Sequence, residues 1–330
     1  MRPSPVVATV DFDQEGVQHG FLQLPYSHDG SAWGSIMTPI TVAKSGDGPT
    51  ALITGGNHGD EYEGPISLFK LAAEIQASDI NGRVIIVPAM NYPAFRAGTR
   101  TSPIDKGNMN RSFPGDPEGT VTDKIADYFQ RELLPMADYV LDLHSGGKTL
   151  DFVPFAAVHE LEDKEQQARC EAAMLAFGAP YSMIMLEMDA VGMYDTAAED
   201  MGKVFVSTEL GGGGSVTARS VRIADRGLRN FLAHAGILKA DVIQSPTMHL
   251  DMPDPDCFIL SVNAGLVEFC VDLGESVKEG DVIARIYDCE RIGGWAYEYP
   301  AKRDGILATR HFPGLINTGD CIAVVAVPVD

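Results

Sequence analysis

The chain has 330 residues, 45% hydrophobic and 22% charged, too apolar for a disordered protein and too evenly mixed for a fibrous one. A chain of this length suggests about two domains, each able to bury its own core. Its 46 Asp and Glu against 25 Lys and Arg give a formal charge of −21, which demotes nucleic acid and anionic membrane surfaces as partners. The acids are spread along the chain, so they read as a solvated surface rather than a binding tail.

Cys170, Cys257, Cys270, Cys289 and Cys321 are odd in number and form no C-x-x-C pair; they are expected to be small buried residues, not a disulfide framework. The apolar stretch near the start is too short for a signal peptide, and no run reaches the roughly 20 apolar residues of a membrane span. The expectation is a soluble cytoplasmic protein.

Residues 1 to 50 are strand-like and rich in turns, with Gly30, Gly34, Pro39 and an SGDGP turn at 45–49. The pattern then alternates. A short strand at 51–54 ends in Gly55-Gly56, and Leu68, Leu71, Ala72 and Ile75 keep the spacing of a helix face. A strand at 83–88 and a helix at 121–133 follow. Strands are predicted at 138–143, 151–157 and 203–209, with helices at 160–177 and about 217–235. This is an α/β fold, with a mostly parallel or mixed sheet covered by helices on both faces. The catalytic domain is placed at residues 1–240.

Helical signals stop after Leu238, and residues 245–330 read as a second, all-β, barrel-like domain. It holds a weak repeat, Gly265-Leu-Val…Val277-Lys-Glu-Gly-Asp-Val-Ile-Ala echoed by Gly305-Ile-Leu…Ile316-Asn-Thr-Gly-Asp-Cys-Ile-Ala. The two copies resemble the halves of a lipoyl/biotinyl-type barrel. The joint between them, Cys289 to Pro300, has no lysine to carry a cofactor, so a scaffold or interface role is favoured over a carrier.

In α/β sheets, ligands gather at the carboxyl ends of strands. Three such ends are loaded. In Gly55-Gly-Asn-His-Gly-Asp-Glu-Tyr-Glu-Gly64, His58 and Glu61 stand three apart, so their side chains can converge as the helix begins. In Leu141-Asp-Leu-His-Ser-Gly-Gly147, His144 ends a strand among small residues. Two imidazoles and one carboxylate make a catalytic zinc set that leaves a position for water. The plain alternatives are a capping role for His58 and a core role for His144. The third end, Val204 to Gly214, closes on Glu209 followed by four glycines. A buried acid without a basic neighbour needs a partner or a task, and the task fitting Glu209 is that of general base and acid. Asn110 and Arg111, side by side in a loop, suit bidentate capture of a carboxylate, and Arg100 supplies a second guanidinium upstream.

The order H-x-x-E, N-R, distant H, then E beside a glycine-rich turn resembles the zinc carboxypeptidase-like fold and, within it, the succinylglutamate desuccinylase/aspartoacylase family. The resemblance covers most of residues 45–325. It implies one zinc ion on His58, Glu61 and His144, Glu209 as general base and acid, and Asn110-Arg111 on the substrate carboxylate. It implies Arg100 as the arginine that polarises the scissile carbonyl, although its spacing to Arg111 is longer than the pattern. Members often carry Asp two residues before the Asn-Arg pair; here stands Asn108, so Asp142 or Asp60 is expected to orient a ligand histidine. The GGNHGDEYEG loop, the STELGGGG turn and the acidic, Met-rich segment 183–201 look most like the deacetylases of ectoine breakdown, which release acetate from Nα-acetyl-2,4-diaminobutyrate.

The expected partner is therefore a small N-acyl amino acid, with self-association left open. The rivals are a deacylase of acidic amino acids, a peptide-trimming metallocarboxypeptidase, and a non-catalytic metal-stabilised binding protein, which should lack the general base. Glu187, Asp189 and Asp195 are candidate readers of a substrate ammonium, each with a surface charge as its plainer role.

Overall fold

The computed structural model describes residues 2–185 and 191–329; Glu187 and Asp189 lie outside the described residues. The first 60 residues give β1 (Val7–Ala8), β2 (Gly16–Pro25), β3 (Ser35–Ser45) and β4 (Thr50–Gly55). Then come α1 (Glu63–Glu74), β5 (Gly82–Val87), α2 (Tyr92–Ala97) and α3 (Val121–Tyr128), which runs through a π turn into α4 (Leu134–Met136). The middle of the chain supplies β6 (Tyr139–His144), β7 (Leu150–Phe152), β8 (Phe155–His159), α5 (Lys164–Phe177) and β9 (Tyr181–Met185). It closes with α6 (Tyr194–Glu199), β10 (Val204–Glu209) and α7 (Ala218–His234).

The rest is strand: β11 (Met248–Asp251), β12 (Phe258–Leu260), β13 (Gly265–Phe269), β14 (Ser276–Val277) and β15 (Val282–Tyr287). Last are β16 (Tyr297–Pro300), β17 (Gly305–His311), β18 (Leu315–Ile316) and β19 (Cys321–Val329). None of the described helices is long and apolar enough to cross a membrane.

Helix ends follow their sequence signals. Asp163 caps α5 by accepting from the backbone of Glu165 and Gln166, and Thr217 with Ser220 makes a capping box on α7. The strand expected over 151–157 is two strands. Pro154 has no N–H for a ladder, and there the chain leaves the pairing of β7 with β17 and continues as β8, which pairs with β9 and β10.

Fifteen of the described strands form one mixed sheet with the path β1-β2-β3-β5-β4-β6-β10-β8-β9-β11-β19-β17-β14, to which β12 is joined at β19 and β7 at β17. Its centre is parallel: β4 lies between β5 and β6, and β10 follows on the far side of β6. In this register Gly55 faces Leu143 and His144 faces Glu209, so three loaded strand ends open side by side. One face is covered by a core containing Leu68 of α1, Cys170 of α5 and Leu228 of α7; the other contains Ile125, Phe129 and Tyr194. Each fully buried side chain of this kind contributes about 1.5–3 kcal/mol.

Residues 248–329 contain the repeated motif, and its two copies exchange strands. β13 of the first copy pairs with β18 of the second, while β17 of the second pairs with β14 of the first. The sheet runs on into this part of the chain, because β11 pairs with both β9 and β19. Val153, Phe155, Ala157 and Met183 share a core with Leu250, Ile306, Ala308 and Ala326. The cysteines depart from expectation. Cys170 and Cys257 are buried, but Cys270 and Cys289 are exposed and Cys321 is half-buried; all five are free thiols. Cys289 lies in the exposed turn after β15, where no core is available to it.

Candidate metal and catalytic site

His58 arrives from the loop after β4, Glu61 from just before α1, and His144 from the last residue of β6. One ligand atom from each can be taken so that all lie within 4.8 Å of one another, a group able to hold a metal ion. The His58 Nδ1 stands 2.7 Å from Glu61 Oε1, and the His144 Nδ1 stands 2.9 Å from Glu61 Oε2. The Ser145 backbone N–H donates to the same Oε2. All three are buried or nearly so, at 4%, 2% and 9% exposure.

Behind His144, Asp142 Oδ2 meets Nε2 at 2.7 Å and accepts from Asn57 Nδ2, while its Oδ1 accepts from Thr54 Oγ1 at 2.7 Å. Asp142 thus fixes the ring from the rear and leaves Nδ1 facing forward, as a metal ligand requires. Of the two acids expected in this role, Asp142 takes it. Asp60 instead accepts from the Lys148 backbone N–H at 2.9 Å and holds the turn after His144. Asn108 makes a local turn by accepting from the Asn110 backbone N–H.

Arg100 is delivered by a close backbone approach. Gly59 N–H donates to Thr99 O, and a Cβ at Gly59 would lie 2.0 Å from the Ala94 carbonyl carbon. Glycine beside His58 therefore lets α2 and its following loop press in. The Arg100 guanidinium ends 3.3 Å from His58 Nδ1 and 3.8 Å from Glu61 Oε1. It is the positive group at the mouth of the cluster.

Glu209 ends β10 opposite His144, with Oε2 buried and without a hydrogen-bond partner among the described residues. Burial, with the like charge of Glu61, pushes its carboxyl up to about 8, against the pull of His144 and Arg100. Burial opposes the charge on His144, yet Asp142 and Glu61 raise it well above the ordinary imidazole value. His58 is lowered by burial despite Glu61 beside it. Burial works to raise Glu61 as well, but the two histidines hold it below the usual carboxylate range. The donor set fits a divalent cation on its chemistry, since two imidazoles and a carboxylate converge while the acid in front lacks a partner.

Asn110 and Arg111 occupy a short 3-10 turn, Met109–Arg111. The Tyr194 backbone N–H donates to Asn110 Oδ1 at 2.9 Å, which leaves the amide NH₂ of Asn110 to face elsewhere; Arg111 is exposed. Asp195 is not a surface charge. It is buried in α6, with Oδ2 3.9 Å from His159 Nε2, and Glu199 meets His159 Nδ1 at 3.0 Å.

Several residues around the site were not singled out from sequence. Glu63, 1% exposed, is held above its ordinary value by burial. Tyr194 is fully buried and stacks on Phe113 at 5.0 Å, and burial together with the charge of Asp142 holds its hydroxyl well above its ordinary value. The only sequence signal for Glu63 was its position in the acidic loop. Tyr194 had none, since a tyrosine near an acidic stretch reads as ordinary surface.

Residues 47–235 match the succinylglutamate desuccinylase/aspartoacylase catalytic domain. The chain is 59% identical to N-alpha-acetyl-L-2,4-diaminobutyric acid deacetylase of Halomonas elongata, over 100% of this chain and 97% of that one. It superposes on the product-bound ectoine utilization protein EutE (DoeB) of Ruegeria pomeroyi with a TM-score of 0.97 at 63% identity, covering 99% and 100% of the two chains. A succinylglutamate desuccinylase from Silicibacter sp. TM1040 gives 0.98 at 62% identity, with both chains fully covered.

Proposed function

The chain belongs to the succinylglutamate desuccinylase/aspartoacylase family, and from that premise we propose that it hydrolyses the N-acyl amide of a small N-acyl amino acid. The substrate we favour is Nα-acetyl-L-2,4-diaminobutyrate, giving acetate and 2,4-diaminobutyrate, because a relative 59% identical along the whole chain bears that activity in its name. The observation that carries the hydrolytic reading is the unpartnered Glu209 carboxylate beside the His58–Glu61–His144 cluster. A passive metal-binding protein has no use for it.

His58, Glu61 and His144 would hold one zinc ion per chain. When bound, zinc acts as a Lewis acid and makes hydroxide available near pH 7. The positive charge of a cation held beside it would bring the raised Glu209 carboxyl down to its ionised form, and Glu209 then takes the proton of the attacking water and returns it to the amine nitrogen as the C–N bond breaks. Arg100 donates to the oxyanion that forms on the carbonyl oxygen. Arg111 and the NH₂ of Asn110 hold the substrate carboxylate, so the amide is presented in one orientation. Asp142 keeps the His144 ring aligned throughout.

Glu209→Gln keeps the fold and the metal set but cannot shuttle a proton, so kcat should fall by about 10²–10⁴. A near-normal kcat would make Glu209 structural. A second reading, removal of an acidic acyl group, is favoured by the 62% identical structure described as a succinylglutamate desuccinylase. Incubating the zinc-loaded protein with N-acetyl and N-succinyl amino acids, and measuring acetate, succinate and free amine, separates the two. Release of C-terminal residues from N-blocked peptides would instead support a carboxypeptidase.

A further inference from the structure

The four glycines after Glu209 are not used by the chemistry above, and their packing leads to the end of the chain. Leu210 N–H donates to His144 O, and Gly211 O accepts from both Gly146 N–H at 2.9 Å and Phe152 N–H at 3.2 Å. Gly213 N–H then donates to Leu150 O at 3.0 Å, and Gly214 N–H to Gly147 O at 2.6 Å. The turn carrying Glu209 is thus laced to residues 146–152. A Cβ at Gly212 would lie 1.9 Å from Leu150 O, so the lacing demands glycine there.

Residues 150–152 are β7, whose strand partner is β17 near the far end of the chain. Arg310 reinforces that pairing through Asp151 Oδ2 at 3.2 Å, and Phe312 N–H donates to Thr149 O at 2.9 Å. The Phe312 ring then folds over the glycine turn itself. A Cβ at Gly213, whose φ is +72°, would stand 2.5 Å from the ring edge. Phe312 is 49% exposed, so it is not a core residue. An exposed phenylalanine with no task would be spare apolar surface.

We propose that Phe312 is a positioning residue for Glu209, acting through β7 and the Gly211–Gly214 turn. The ring presses the turn onto the 146–152 segment, and that contact fixes where the β10 terminus points its carboxylate. The β-rich end of the chain thereby takes part in the reaction without touching substrate. The effect expected is on kcat, because a small misplacement of a reacting group slows the step more than it weakens binding. The inference rests on Glu209 as the base, so its test needs a readout independent of that role.

Full-length Phe312→Ala and Phe312→Leu variants are compared with the parent and with Glu209→Gln. The measurements are metal content, kcat and KM on Nα-acetyl-L-2,4-diaminobutyrate, and hydrogen exchange of the peptide spanning 207–214. Phe312→Ala should exchange faster in that peptide and lose about tenfold in kcat, with KM and metal content unchanged. Phe312→Leu, which keeps an apolar cover, should recover most of both. Unchanged exchange and kcat in Phe312→Ala overturn the proposal, as does a kcat loss that follows metal loss. An active Glu209→Gln overturns the base assignment instead, and the exchange result then still decides whether Phe312 holds the turn.

Discussion

His144 meets a carboxylate at each ring nitrogen, Glu61 at Nδ1 and Asp142 at Nε2. Those two neighbours outweigh burial and keep the metal-free ring charged above its ordinary value of 6.5. An imidazole that binds a metal must be neutral, so in the proposed site zinc binding at pH 7 would expel the His144 proton, and affinity would rise with pH. Calorimetry in buffers of different ionisation enthalpy should show proton release on zinc binding; release unchanged in His144→Ala would remove this histidine from the site. The same shifts bear on stability without metal. The raised His144 stabilises fully below about 6.5 and loses that contribution as pH rises through its folded value. Asp142 is lowered, with His144 overcoming burial, so its contribution is present above the ordinary carboxylate range and lost as pH falls through the lowered value. Asp142→Asn should weaken metal affinity by about 10–100-fold, measured by competition with a chelator, because the amide no longer holds the ring as a carboxylate does. Arg111→Lys tests the proposed capture of a substrate carboxylate by Arg111. A point charge cannot reproduce the two-pronged fork, so KM for the acyl amino acid should rise while zinc content stays constant.

At the scale of elements, α6 is tied to the Met109–Arg111 turn. Its first residue, Tyr194, fixes Asn110 through the backbone and fills the core against Phe113, Phe129 and Phe205. Tyr194→Ala should cost about 3–5 kcal/mol in denaturant unfolding, the range for emptying an aromatic core site. Tyr194→Phe keeps the ring and removes a hydroxyl without a hydrogen-bond partner, so its stability should stay close to the parent. Equal losses in the two variants would place the role in the hydroxyl, not in the ring. No sequence pattern announced α6. Six residues, Tyr194 to Glu199, are too few to display a helical period, and α2 at Tyr92–Ala97 was missed for the same reason. The loaded strand ends were legible because His58, Glu61, His144 and Glu209 each stand beside glycines at a change of period. Asp195 was misjudged because its partner, His159, lies 36 positions upstream at the end of β8, and sequence cannot show that meeting.

Across the whole molecule, the alternation of strands and helices up to α7 was readable, and so was the repeat that exchanges β14 and β18 between its copies. The continuity of the sheet was not. The pairing of β11 with β9 joins residues 248–250 to 181–183, a long-range contact that no local pattern encodes. The net charge of −21 acts on this body as a whole. Ion pairs such as Lys278–Asp304 and Arg285–Glu298 sit at the surface, where each contributes little and weakens with salt. The excess of acids repels over longer distances and is screened by the same salt, with a Debye length of about 10 Å at 0.1 M. Screening therefore removes a small attraction and a larger repulsion, and the repulsion decides the sign. The melting temperature of the metal-loaded protein should rise between about 10 mM and 0.5 M sodium chloride, since the Debye length shrinks from about 30 Å to below 8 Å over that interval. A fall over the same range would mean that the surface pairs, not the excess of acids, set the electrostatic balance of the fold.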